Sequence, residues 1–318
     1  MTADAGKPAA TAAYAACDWG TSNLRVWAMS AEGEPLAVRQ SADGMANVGE
    51  GGFATVLDGH LAELGLAEDL SVVACGMVGA RQGWAEAPYL PAPARIEGLA
   101  VHAITAPGTE RDVRILPGVF LSGDGAGCDV MRGEETQLFG LALQAGGDHL
   151  ACLPGTHSKW ARLEAGGIVD FATFMTGELF ALLSRHAVIR HSLDVDLDAA
   201  GYSDAFEAGL KDGSARPEAV LNELFALRAR DLLTGAGKAD LTARLSGLLI
   251  GCELAGAGKR FGEESKVALV ASGMTATLYE RALRAAGYTV ATMDAEVCVR
   301  AGLHAAARHL FDLEGART

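Results

Sequence analysis

One pattern occurs twice in this chain, and a duplicated hairpin constrains the fold more than any other feature. The stretches CDWGTSNLRVWAMSAEGEPLAV (17–38) and LPGTHSKWARLEAGGIVDF (153–171) each begin as a strand ending in Gly-Thr: Gly20-Thr21, then Gly155-Thr156. A serine follows (Ser22, Ser158), then a cation (Arg25, Lys159). Next come a second strand carrying Trp27 or Trp160, a glycine turn and a third strand. The copies lie 135 residues apart (Gly20 to Gly155) in a chain of 318, about one lobe each. Elsewhere, short apolar strands such as SVVACG (71–76) and KVALVAS (266–272) alternate with segments of helical spacing, so the chain is α/β.

A hairpin of this kind presents backbone N–H groups and small hydroxyls at its turn. Glycine lets that backbone approach a phosphate closely, and Thr and Ser add donors. The chain has 40 glycines but 9 prolines, so the glycine excess serves tight turns rather than low complexity. Two such hairpins facing one another would clamp a polyphosphate. Asp18, two residues before Gly20, sits where phosphates would converge and suits a Mg²⁺ ligand, direct or through water. An Asx-type turn cap is its bland alternative. Other phosphate-binding patterns are missing. There is no G-x-x-x-x-G-K-[ST], because Gly237-Lys238 and Gly258-Lys259 are followed by Ala and Arg. The run Gly123-Asp124-Gly125-Ala126-Gly127 does not have dinucleotide-loop spacing.

The formal charge of −14 repels phosphate backbones and anionic lipid, so neither nucleic acid nor membrane is an expected partner. The six cysteines lie far apart with no CxxC pair, as expected of reduced thiols in a cytoplasmic protein. Residues 1–12 read as a floppy tail rather than a leader.

DWGTSNLR resembles the first phosphate motif of the actin-like ATPase and sugar-kinase superfamily. More closely, GMVGARQGWAEAPYLPAPA (76–94), DVMRGEETQLFG (129–140), LPGTHSKWA (153–161) and FMTGELFALL (174–183) are similar to the 2-dehydro-3-deoxygalactonokinases. The resemblance runs over most of 14–310 and is weakest at 190–240. It implies two ribonuclease-H-like lobes with the active site in the cleft between them. It also implies ATP-dependent phosphorylation, with Mg²⁺, of the 6-hydroxyl of 2-dehydro-3-deoxy-D-galactonate. The first lobe would span 13–120, with 296–318 a candidate to rejoin it, and the second 121–295.

The resemblance further implies roles. Gly20, Thr21, Ser22 and Arg25, with Gly155, Thr156, His157, Ser158 and Lys159, would bind the ATP phosphates, Lys159 ranking above His157. Ser272, Gly273 and Met274 would form the adenosine motif; a glycine turn opening a helix is the bland reading. Phosphoryl transfer needs a carboxylate to accept the attacking hydroxyl's proton. The helix RGEETQLFG offers Glu134 first, Glu135 next, and Asp129 stands third. Against this, acidic residues favour a helix's first turn for its dipole alone. The substrate carboxylate calls for a cation, with Arg81 and Arg132 the candidates and Trp84 and Glu86 beside the sugar chain. The expected partners are a small sugar acid and ATP, with a homodimer left open. Three alternatives stand: a kinase of another ketodeoxy acid or hexose, an actin-like nucleotide switch and, last, a Rossmann dehydrogenase.

Overall fold

The computed structural model describes residues 12–49, 51–123, 127–194, 203–262, 264–311 and 313. Residues 1–11 of the expected tail and residues 124–126 of the glycine run lie outside them. The chain forms two compact units. The first takes the chain up to Asp148, with Leu163–Asp170 and everything from Ala295 onward; the second holds His149–Arg162 and Phe171–Asp294.

The first unit opens on the hairpin strands β1 (Tyr14–Trp19), β2 (Leu24–Met29) and β3 (Pro35–Ser41), followed by helix α1 (Phe53–Glu63) and strand β4 (Val72–Gly76). Then come β5 (Tyr89–Pro91), α2 (Ile96–Val101), β6 (Ile104–Thr105), β7 (Val113–Ile115), β8 (Gly118–Leu121), β9 (Asp129–Met131) and α3 (Glu134–Ala145). The second unit has β10 (His149–Leu153), β11 (Ser158–Glu164) as far as Arg162, β12 (Gly167–Phe174) from Phe171, α4 (Thr176–Arg185), α5 (Asp204–Ala215) and α6 (Val220–Thr234). It continues with α7 (Lys238–Phe261), β13 (Lys266–Val270), α8 (Gly273–Ala285) and β14 (Thr289–Met293). Helix α9 (Ala295–Leu310) belongs to the first unit.

The sequence repeat becomes a repeat of topology. The first sheet runs β3-β2-β1-β4-β7-β6 and the second β12-β11-β10-β13-β14. In each, the hairpin strands lie side by side, and the first of them pairs parallel with the strand that follows the helices: β1 with β4, β10 with β13. A smaller sheet, β5-β8-β9, was not expected from the sequence.

Strand β1 is buried on both faces, so its alternate residues feed two cores. Ala15, Cys17 and Trp19 pack with Phe53, Leu57 and Leu61 of α1. Tyr14 and Ala16 pack with Val299, Leu303, Ala306 and Ala307 of α9. The second unit buries Leu150, Cys152 and Trp160 against α7 and α8.

The sequence reading began the second lobe at 121; the structure keeps 121–148, α3 included, in the first unit. The cause is the close approach of α3 to α9. A side chain at Gly140 would run into the carbonyl of Cys298, and one at Gly302 into that of Thr136. Among the described residues, no helix is long and apolar enough to cross a membrane.

Candidate active site

In the first unit, the end of β1, the end of β4 and the start of α3 converge. Asp18 pairs across the hairpin with Arg25. Gly76 follows at φ 93; a side chain there would meet the Trp19 carbonyl and approach the Asp18 carboxylate. Gly133, at φ 104, comes within 3.2 Å of Gly76 Cα measured from where its own Cβ would stand, a position and conformation that favour glycine. That geometry delivers Glu134 and Glu135 beside Asp18. Burial pushes the Asp18 carboxyl up to about 6; Arg25 draws it back, and the charges of Glu134 and Glu296 add to the rise.

The two adjacent glutamates differ sharply. Glu135 is 1% exposed. Its carboxylate accepts the Gly133 N–H at 2.6 Å and the Thr136 hydroxyl at 2.9 Å, closing its own helix N-terminus. Burial, then the charge of Glu134, push it up to about 7. Glu134 is partly exposed and accepts the Arg132 N–H at 3.1 Å. Asp129 stands apart on β9, where it accepts the N–H of Val130 at 2.8 Å. Glu296, in the first turn of α9, has no signal in the sequence that ties it to Asp18.

The first turn is held from behind. Met45 and Ala46 donate their N–H groups to the carbonyls of Gly20 and Thr21 at 2.9 Å, and the indole N–H of Trp19 bonds the Asp43 carbonyl at 2.8 Å. Thr21 and Ser22 are left exposed, as a ligand-facing turn requires.

The loop after β4 divides its expected residues. Arg81 is solvent-exposed (79%) and pairs with Glu86 at 3.3 Å. Trp84 turns inward instead: its ring stacks on Phe53, and its N–H bonds the Pro107 carbonyl at 2.9 Å. Arg132 is also inside, because its guanidinium lies over the Tyr89 ring at 4.2 Å and donates to the Ala87 carbonyl at 2.7 Å. Trp84, half-buried, and Arg132 therefore brace this loop. Burying the indole gains apolar contact, and the arginine satisfies a loop carbonyl.

In the second unit, Gly155, Thr156 and His157 are exposed at the turn. Helix α4 clamps them: Glu178 N–H bonds the Thr156 carbonyl at 2.9 Å, and His157 meets the Glu178 carboxylate at 2.6 Å. Ser158 and Lys159 depart from expectation. Ser158 is 0% exposed and its hydroxyl lies 3.2 Å from that of Tyr279. Lys159 is 4% exposed and donates to the His157 carbonyl at 3.3 Å. Strand alternation explains both: β11 begins at Ser158, so its side chains enter packed layers, and His157 is the more accessible group.

A cavity of about 390 Å³ adjoins this turn, lined by Gly155, Thr156, Thr176, Gly177, Phe180 and Tyr279, among others. Thr275 also lines it, one residue after Met274. Ser272, Gly273 and Met274 are exposed at the start of α8. Ser272 gives its hydroxyl to Asp294 at 2.8 Å rather than capping the helix. Glu253 of α7, buried behind the turn, was missed. Its signal was present: a lone acid in the otherwise uncharged stretch LSGLLIGCELAGAG.

Comparison with known proteins now bears on this geometry. The model of the 2-keto-3-deoxy-galactonokinase family matches residues 18–306. The chain belongs to that family. It is 48% identical over 302 residues to the probable 2-dehydro-3-deoxygalactonokinase of Rhizobium meliloti (strain 1021), covering 94% of this chain and 98% of that one. It is 37% identical over 297 residues to the 2-dehydro-3-deoxygalactonokinase of Escherichia coli (strain K12), covering 93% and 98%. A crystal structure from Sinorhizobium meliloti, assigned as a 2-dehydro-3-deoxygalactonokinase protein, superposes with a TM-score of 0.88 at 47% identity over 94% of this chain and 99% of that one. The activator of 2-hydroxyisocaproyl-CoA dehydratase from Clostridium difficile shares the fold, at a TM-score of 0.51 and 16% identity, covering 96% and 95%.

Proposed function

We propose that this member of the 2-keto-3-deoxy-galactonokinase family is an ATP-dependent kinase of the 6-hydroxyl of 2-dehydro-3-deoxy-D-galactonate, giving the 6-phosphate and ADP. The observation that carries the reading is the first unit's cluster: an accessible Glu134 held beside Asp18 and Arg25 by two glycine turns. Glu134 is the base. It takes the proton of the 6-hydroxyl as that oxygen attacks the γ-phosphorus; the bond from γ-phosphorus to its bridging oxygen breaks, and ADP leaves. Glu135 is disfavoured for that role by burial and by its own hydrogen bonds, and Asp129 by its engagement with the Val130 N–H on β9.

The phosphates are bound, from the first unit, by the backbone and hydroxyls of Gly20, Thr21 and Ser22 with Arg25. From the second, Gly155, Thr156 and His157 contribute. Ser272 to Met274 and the adjoining cavity take the nucleoside. Arg81 is the cation for the substrate carboxylate. Mg²⁺ enters with ATP, and the donor set fits it. Asp18 supplies a hard carboxylate oxygen at the end of β1, the kind of donor Mg²⁺ takes alongside waters and phosphate oxygens. Bound there, Mg²⁺ neutralises phosphate charge. A cytoplasmic setting is supported by the six cysteines, spaced far apart in the sequence with no CxxC pair.

The test is ADP release with Mg·ATP, offering 2-dehydro-3-deoxygalactonate, its gluconate epimer, glucose, or no acceptor. Turnover with the galactonate well above the rest is expected. A faster glucose reaction would overturn the substrate, and equal release without acceptor would favour a nucleotide switch.

A further inference from the structure

A single buried carboxylate organises the second unit's turn. Glu253, 2% exposed, receives three donors. The Trp160 indole N–H from β11 reaches Oε1 at 2.9 Å. The Thr176 hydroxyl from the start of α4 reaches Oε2 at 2.5 Å, and the Tyr279 hydroxyl from α8 reaches the same oxygen at 2.9 Å. Thr176 and Tyr279 line the cavity beside Gly155 and Thr156. Gly177, next to Thr176, is pressed so close to the turn that a side chain there would stand 2.5 Å from the Gly155 carbonyl oxygen.

Counting protons extends the network to the turn itself. Tyr279 has one hydroxyl proton and gives it to Glu253. Ser158, enclosed beside it, therefore directs its own proton inward, and its oxygen faces the Gly155 N–H at 3.5 Å. An acceptor-only group at the centre thus fixes the direction of every donor around it. A carboxylate is such a group; burial pushes it above its ordinary range, and the bonds from Thr176, Trp160 and Tyr279 draw it partly back.

We propose that Glu253 is a positioning residue for the nucleotide: by tying β11, α4 and α8 together, it sets the Gly155–Thr156 turn and the cavity wall at the spacing that ATP requires. The inference rests on the kinase reading above, since it takes this turn and cavity as the nucleotide site. It needs no contact between Glu253 and the ligand.

The experiment measures ATP and sugar-acid KM, kcat, and the Kd of Mg·ADP by calorimetry for wild type and three variants. In Glu253→Leu, three buried donors lose their acceptor, and ATP KM and ADP Kd should rise about tenfold or more while sugar-acid KM holds. In Glu253→Gln, the amide oxygen can keep the Trp160 N–H, and its NH₂ can face Thr176 and Tyr279 if both hydroxyls rotate to accept. Nucleotide binding should therefore recover to within a few-fold of wild type. Tyr279→Phe removes one of the three donors to Glu253 together with the link to Ser158, and should raise ATP KM a few-fold; it keeps the proposal testable if Glu253→Leu does not fold. A merely structural residue would lower the active fraction with both KM values unchanged, and that result overturns the proposal. So does unaltered nucleotide affinity in folded Glu253→Leu or, where that variant does not fold, in Tyr279→Phe. If wild type binds Mg·ADP but does not phosphorylate the sugar acid, the substrate reading fails while the ADP series still tests Glu253. If wild type does not bind Mg·ADP, both fail.

Discussion

Glu135→Gln should change stability in a way that depends on pH with a predictable sign. The Glu135 carboxyl is raised from its ordinary 4.5 to about 7, first by burial and then by the charge of Glu134. Between those values the native chain holds a proton that the unfolded chain has released. The stabilising protonated form is fully present below pH 4.5, and its contribution is lost as pH rises through 7. At ~1.36 kcal/mol per pKa unit the full span is about 3 kcal/mol. Glutamine cannot ionise, so the variant escapes this loss. Any fixed cost of replacing the bonds to Gly133 and Thr136 is the same at every pH and cancels in the comparison. The assay is urea unfolding of the ligand-free protein at pH 5 and pH 8. It is followed by tryptophan fluorescence, since Trp19, Trp27 and Trp84 all report on the first unit. The variant should gain about 3 kcal/mol on wild type between the two pH values. A difference that is flat with pH, or that moves the other way, would refute the assignment of Glu135 as a buried, proton-holding helix cap.

Glu134→Gln should lower kcat by about a hundredfold or more, the range of a lost general base; steady-state turnover within a few-fold of wild type would remove Glu134 from the mechanism. Arg81→Ala should raise KM for the sugar acid about tenfold and leave KM for ATP alone, reflecting a lost charge-assisted bond; the opposite split would contradict it. Gly302→Ala should cost about 1–3 kcal/mol by forcing α9 from the Thr136 carbonyl. Because α3 carries Glu134, kcat should fall as well; unfolding midpoints and kinetics unchanged together would count against that coupling. Chelating Mg²⁺ should abolish turnover, with recovery on adding excess Mg²⁺.

The repeat was legible because it is carried by local chemistry: Gly-Thr turns, a short hydroxyl, a cation and period-2 strands. It pointed to two related lobes, and the structure gives each copy a sheet of like strand order. The helix bearing Glu134 and Glu135 was legible too, but the choice between them was not. Successive helix residues point about 100° apart, and which one enters the interior is decided by α9 and β4, both remote in sequence. The same holds for Trp84 and Arg132: their chemistry suits a sugar acid, yet Phe53, Tyr89 and the Ala87 carbonyl, met only in the fold, draw them inward. The strands β5, β8 and β9 escaped notice because runs of three or four residues carry too few alternations to register a period.

The two copies have diverged in where they keep their acids. In each, the tryptophan of the second hairpin strand gives its N–H to a glutamate on a helix: Trp27 to Glu296 at 3.4 Å, Trp160 to Glu253 at 2.9 Å. In the first copy that glutamate stays partly exposed and adds to the negative field felt by Asp18. In the second it is sealed in, wholly engaged by donors. The turns differ to match. Asp18 stands two residues before Gly20, but Leu153 stands two before Gly155, so the second turn offers backbone, Thr156 and His157 without a strand-end carboxylate. A reaction that carries a highly charged triphosphate tolerates carboxylates where a metal and a departing proton need them, and is opposed by them elsewhere. In the proposed kinase, the first copy is accordingly the unit that manages metal and proton. The second is the unit that holds nucleotide, where Glu253 is spent on shape and Glu178 is paired with His157.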